Sequence, residues 1–279
     1  MAINIKKVSD EKRQQIVEDY INGKSMRQIE RDYDVTRQSV AKYLEEKQIK
    51  TTKGNHYRKY RHQYDFFENI DTEEKAYWLG FMFADGYIVD HSHKYGEDHF
   101  GITLHSKDVA TLEQFKKSIK ATNPIRDVSS DGCPLHRIVM TSQKTVDDLI
   151  SHGCVKQKSL ILKPPVGVPQ ELIHHLIRGF FDGDGSIYWN KTAFEKHKTW
   201  VTPSYTINIT STKEMIEWLI DQVGFGNMHK ENRREKTWYY VQGGNKKVKQ
   251  FCDYIYKDAT IYMERKYQLY QDLLKYTEK

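Results

Sequence analysis

Two nine-residue stretches of this chain carry one design. Residues 78–86 read Trp-Leu-Gly-Phe-Met-Phe-Ala-Asp-Gly, and residues 177–185 read Ile-Arg-Gly-Phe-Phe-Asp-Gly-Asp-Gly. Each is an apolar helical run bearing a glycine, three residues, a small residue, then Asp-Gly. Gly80 and Ala84 stand four apart, as do Gly179 and Gly183, so each pair shares a helix face. Small side chains on such a face let two backbones approach closely. The pattern predicts two helices packed face to face, each ending in one carboxylate, Asp85 and Asp184. Adjacent carboxylates repel one another. The pair makes sense where a positive group, such as a divalent metal, sits between or beside them. The extra acid of the second copy, Asp182, stands where the first has Phe83, so it falls outside the shared pair.

The order of elements behind each stretch also recurs. Strands are predicted around 87–92 and 99–106 after the first copy, and around 186–191 and 204–211 after the second. Tyr205, Ile207 and Ile209 alternate with Thr206, Asn208 and Thr210, the period of a half-buried strand. Amphipathic helices follow over 108–119 and 213–223. Strand pairs 124–128 with 135–141 and 226–232 with 236–242 come next, and helices 144–151 and 245–256 close the units. Asp71-Thr72-Glu73-Glu74 offers a capping box to the first motif helix. Both units read α-β-β-α-β-β-α, an internal duplication extending well beyond the nine-residue motifs. Each four-stranded sheet would bury one face under helices and leave the other free. His105, His136, Arg137, Asn208, His229, Lys230, Arg233, Arg234 and Tyr239 are candidates for the free faces, although a register error of one residue inverts every assignment.

The N-terminal quarter is different. Helices are predicted over 10–22, from Ser25 through Tyr33, and from Arg37 to about Lys47 with Thr36 as cap. Ile29, Val35, Val40 and Leu44 would form their core. Helix, short turn, helix is the helix-turn-helix pattern, and residues 25–40 resemble resolvase- and repressor-type modules. The resemblance places Arg37, Gln38, Ser39 and Lys42 at base edges or phosphates. A protein-contact bundle is the other reading. The arm that follows, with Lys53, Arg58, Lys59 and Arg61 among tyrosines, suits a phosphate backbone, a minor groove or a solvated linker.

Charge agrees with this division. The net charge is +6. Residues 1–63 hold 15 Lys+Arg against 9 Asp+Glu, and residues 64–279 hold 29 of each, so the whole excess lies at the N-terminal end. Such a segment usually faces a polyanion. No apolar run reaches the ~18 residues of a membrane span, and the first residues lack a signal-peptide core. Cys133, Cys154 and Cys252 stand apart, with no disulfide or zinc spacing. They read as reduced, buried thiols of an intracellular, cytoplasmic protein, nucleoid-associated in a prokaryote or phage.

The paired motifs resemble the LAGLIDADG homing endonuclease family in its single-chain, two-motif form. The resemblance implies an α+β fold: pseudo-twofold duplicated α-β-β-α-β-β-α units forming a saddle of two antiparallel sheets, here preceded by a small all-α helix-turn-helix domain. Expected boundaries are 1–49 for that domain, 50–70 for a basic linker, 71–160 for the first unit and 161–279 for the second. The implied activity is site-specific cleavage of both strands of a long asymmetric DNA target by a monomer, in the homing of a mobile element. The resemblance gives Asp85 and Asp184 the metals, with the backbone carbonyls of Ala84 and Gly183. Hard oxygen ligands favour Mg²⁺, with Mn²⁺ as substitute. Lys158 and Lys266 fall in matching basic segments after each unit, where the family has a lysine near the scissile phosphate; two ordinary surface lysines are the other reading. Ser106 and Ser211 fall at the family's variable water-orienting position. An RNA maturase acting on intron RNA could keep both aspartates. A non-catalytic regulator would tend to lose them. A His-dependent nuclease lacks its metal pattern, and an intein lacks its terminal residues.

Overall fold

The structure is a computed structural model of the 279-residue chain. It describes residues 3–21, 24, 26–49, 60–89, 98–130, 132–189, 203–232 and 236–277. The chain divides into two compact units, Met1–Tyr60 and Arg61–Lys279.

The first unit holds α1 (Asp10–Ile21), α2 (Met26–Tyr33) and α3 (Arg37–Glu46). Ile5, Ile16, Ile29, Val35, Val40 and Leu44 are its buried core. Thr36 caps α3, its Oγ1 accepting from the Ser39 amide. An unforeseen segment joins them: the Ile3 amide donates to the Asp34 carbonyl at 2.8 Å, and the Thr36 amide donates to the Ile3 carbonyl at 2.9 Å.

The second unit runs α4 (Glu73–Ala84), β1 (Gly86–Val89), β2 (His99–His105), α5 (Val109–Ser118), β3 (Arg126–Asp127), β4 (Leu135–Thr141) and α6 (Gln143–Ser151). The same order repeats in α7 (Ile173–Asp184), β5 (Gly185–Trp189), β6 (Tyr205–Ser211), α8 (Lys213–Val223), β7 (Asn227–Lys230), β8 (Trp238–Gly243) and α9 (Asn245–Ile255). A last helix, α10 (Glu264–Leu274), has only a short 3-10 turn (Lys158–Leu160) at the corresponding place after the first repeat and was not foreseen. The two antiparallel sheets have matching orders, β1-β2-β4-β3 and β5-β6-β8-β7. Helices α5 and α6 cover one face of the first sheet; α8 and α9 cover one face of the second. The predicted α-β-β-α-β-β-α duplication is therefore present.

The expected linker does not reach residue 70. From Arg61 onward the chain joins the body, because Phe66, Phe67 and Ile70 bury apolar surface in its core. Arg61 and Thr122 exchange backbone and hydroxyl hydrogen bonds at 2.8 Å.

Candidate active site and nucleic-acid interface

The centre of the body is the contact between α4 and α7, and glycine decides its closeness. A methyl group on Gly80 would lie 2.0 Å from the Leu176 carbonyl oxygen, and one on Gly179 would lie 1.9 Å from that of Tyr77. These contacts are equivalent under the 99-residue repeat. One turn on, a methyl group on Gly183 would lie 2.2 Å from the Ala84 Cβ and 3.3 Å from the Asp85 amide nitrogen. The small-residue faces thus bring the C-terminal ends of both helices together.

Asp85 and Asp184 emerge at those ends. Asp184 is exposed and Asp85 half-buried, yet the protein mass around both carboxyls disfavours their charge. Burial raises Asp85, with Lys266 and Lys158 opposing. Burial and the neighbouring Asp85 push Asp184 up to about 7. This electrostatic coupling marks a juxtaposed acidic pair. Among the described residues no group of three or more His, Cys, Asp or Glu forms a metal cage. Two convergent carboxylates with nearby carbonyls instead suit a hard cation that keeps its waters and takes further oxygens from a phosphate substrate. The donor set therefore fits Mg²⁺ and fits zinc poorly.

Lys158 and Lys266 sit at equivalent places. Lys158 Nζ donates to the Gly86 carbonyl. Lys266 Nζ donates to the carbonyls of Gly185 at 2.5 Å, Phe181 at 2.6 Å and Asp182 at 2.7 Å. Gly86 and Gly185 are the closing glycines of the two motifs, so each lysine reaches the tip of its own repeat. The lysines differ in burial. Lys158 is half-buried on a short 3-10 turn after Gln157, whose φ of 52° is left-handed. Lys266 is 1% exposed in the first turn of α10, and burial pushes its ammonium down to about 8. Beside it, Arg265 makes a two-pronged ion pair with Asp108, Nε to Oδ1 at 2.7 Å and Nη2 to Oδ2 at 3.2 Å. Sequence reading missed this bridge between the repeats, because its partners lie 157 residues apart.

Strand register assigns the sheet faces. Tyr87, Gly101, Val139 and the Thr103–Arg137 pair share the face away from the buried Phe100, Ile102, Ile138 and Met140. Arg126 stands opposite Arg137 on that open face, and both are exposed. The Arg137 Nε donates to Thr103 Oγ1 at 3.0 Å, and its guanidinium lies 5.8 Å from the Tyr87 ring centre. In the second sheet, Ser186, Tyr188, Thr206, Asn208, Thr210, Tyr239, Val241 and His229 share the open face.

Two face assignments need correcting. His136 pairs with Leu104, on the helix-covered side, and its Nδ1 lies 3.0 Å from the Ser106 hydroxyl. Lys230 pairs with Trp238, in phase with buried Tyr240 rather than with Tyr239. Each is a one-residue error of register. Ser211 is buried as well. Arg126 was missed because the two-residue strand β3 shows no alternation.

In the N-terminal unit, Gln38 and Lys42 are exposed on α3. Arg37 is exposed but pairs with Glu30 at 2.9 Å. Ser39 is not available for contact: it is buried, accepting from the Ile5 amide at 3.0 Å and donating to the Thr36 carbonyl at 2.8 Å. Lys53, Arg58, Lys59, Arg233 and Arg234 lie outside the described residues. Cys154 and Cys252 are buried as expected, whereas Cys133 is exposed in the hairpin before β4.

Comparison with known proteins agrees with this geometry. Residues 177–277 match the profile of a family described as LAGLIDADG endonuclease. No curated protein matches the sequence. The fold is similar to the LAGLIDADG meganuclease I-AabMI bound to uncleaved DNA, at 15% identity and TM-score 0.52, covering 72% of this chain and 89% of that one. It is also similar to meganuclease I-SmaMI bound to uncleavable DNA with a TTGT central four, at 18% identity and TM-score 0.51, covering 75% and 89%. The second repeat thus resembles a LAGLIDADG endonuclease in sequence, and the first repeat carries the same elements in the same order with its own motif helix.

Proposed function

We propose that this protein is a site-specific DNA endonuclease that hydrolyses one phosphodiester in each strand of a long asymmetric duplex site. The carrying observation is the convergence of Asp85 and Asp184 at the glycine-packed helix ends, with one lysine reaching each motif tip. Asp85 and Asp184 would hold divalent ions, Mg²⁺ or Mn²⁺, with the carbonyls of Ala84 and Gly183. Such ions supply an activated water and neutralise charge on the phosphate. Lys158 and Lys266 place positive charge where negative charge develops. The open sheet faces supply the reading surface, since a β ribbon fits the major groove. Arg126 and Arg137 directly opposite one another are unfavourable without an anion, which supports a phosphate or guanine partner for them.

The exposed Gln38, Lys42 and Arg37 of α3 support a second, tethered DNA contact that raises affinity through effective concentration. The monomer and the homing of a mobile element belong to the same reading.

The test is incubation of the purified chain with Mg²⁺ and DNA from its genomic neighbourhood, followed by end mapping. Discrete double-strand ends that vanish with chelator are expected. Intact DNA, together with selective binding of intron RNA, would favour the maturase instead.

A further inference from the structure

The two halves of the centre hold their lysines by different means. In the second half, fully buried Arg178 lies on the motif helix one residue before Gly179. Its Nη2 donates to Glu73 Oε1 at 2.6 Å, its Nε to the Ile261 carbonyl at 2.8 Å, and its Nη1 to the Ile255 carbonyl at 2.8 Å and to His175 Nδ1 at 2.7 Å. Its guanidinium also lies 5.4 Å from the Tyr77 ring centre. Glu73 is bound in turn by the Thr260 amide and hydroxyl, both at 2.7 Å, and by the Ile261 amide at 3.3 Å. Buried Asp182 accepts from Tyr77 Oη at 2.9 Å and from the Met263 amide at 2.7 Å. The segment from Ile255 to Met263, which leads into α10 and Lys266, is thus fastened at four residues to α4 and α7.

The first half has none of these charges at the equivalent places. A shift of 99 residues sets Leu79 against Arg178, Phe83 against Asp182 and Leu172 against Glu73. There the segment before Lys158 packs through buried Cys154, whose Sγ donates to the Met82 carbonyl at 3.5 Å, and is tied to the start of β2 by Lys156, which pairs with Asp98 at 3.1 Å, not to the motif helices by charge. Lys158 itself stays half-buried on one carbonyl, where Lys266 is sealed on three. A buried charged network does little for net stability compared with apolar packing. Asp182 Oδ1 is buried without a partner, but Arg178, Glu73 and Asp182 Oδ2 are held by directed hydrogen bonds, which fix geometry.

We propose that Glu73, Arg178, Asp182 and Tyr77 are positioning residues for Lys266, and that they govern cleavage of one DNA strand only. This deepens the endonuclease reading and rests on it. Displacing a charge-stabilising group by ~1 Å costs on the order of 100-fold in rate. The loss should fall on the strand served by Lys266, while the strand served by Lys158 is spared. The network therefore makes the two cuts separately adjustable within one chain.

The experiment follows each strand of an end-labelled target duplex cut by the full chain in Mg²⁺. Lys266→Met and Lys158→Met first define which strand each lysine serves. Tyr77→Phe removes one hydroxyl and is the mild lesion; Glu73→Gln keeps side-chain volume but leaves buried Arg178 without its counter-charge, so thermal melting checks that both fold. The expected result is a loss of about tenfold or more on the Lys266 strand, little change on the other, and accumulation of nicked duplex. Retention of wild-type rates on both strands, or equal slowing of both, overturns the inference while the endonuclease reading stands. A wild-type chain that cuts neither strand overturns both.

Discussion

At the scale of single residues, the centre trades stability for chemistry. Asp184 is held up at about 7, first by burial and then by Asp85, whereas a free aspartate titrates near 4. Between those values the folded protein binds more protons than the unfolded chain, so this group makes stability fall as pH rises from about 4 to 7. Above that window the full penalty remains unless a cation offsets it. Asp184→Asn should therefore raise the melting temperature of the metal-free protein at pH 8, with a smaller gain at pH 5. A melting temperature unchanged or lowered at pH 8 would show that the acidic pair carries no electrostatic cost. Asp182, two residues earlier, has a different role although its letter is the same. It is fully buried and bonded to Tyr77 and Met263 rather than emerging at the helix end.

At the scale of elements, the α4–α7 contact sets the positions of everything at the centre. Gly179→Ala would drive a methyl group into the Tyr77 carbonyl, a backbone atom that cannot rotate aside. Overpacking of this kind costs about 1–3 kcal/mol, and the upper end is expected here in urea denaturation. Cleavage should fall with it, because parting the helices parts Asp85 from Asp184; an unaffected Gly179→Ala variant would refute the close-packing argument. These helices were legible in the sequence, since spacing of four and a repeated Asp-Gly carry the packing face directly. The sheets were legible as strands but not as faces. Their boundaries came within a few residues, yet His136 and Lys230 were set on the wrong side because alternation fades at strand ends. Glu73 was read as part of a capping box. Thr72 does cap α4, accepting from the Lys75 amide at 3.4 Å, but Glu73 turns to Arg178 and Thr260. Partners 105 and 187 residues away leave no local pattern. Ser39 was misplaced for a similar reason: the Ile5 amide that claims it comes from outside the helical repeat.

At the scale of the whole molecule, one duplicated unit yields two sheets with open faces, two carboxylates at one point and two lysines at equivalent tips. The duplication is visible in the sequence because both copies keep the same element order. Its asymmetries are not, because they lie in which copy received charge: Arg178 against Leu79, Asp182 against Phe83, and the Arg265–Asp108 bridge that joins the repeats. No helix among the described residues is long and apolar enough to cross a membrane, and the basic excess at the N-terminal end fits a polyanionic partner. The central claim is that Asp85 and Asp184 each serve one strand of a bound duplex. The direct measurement is strand-resolved cleavage of a labelled target in Mg²⁺ by Asp85→Asn and by Asp184→Asn. Each variant should nick one strand, and the two should nick opposite strands; cutting of both strands at the wild-type rate by either variant would contradict it.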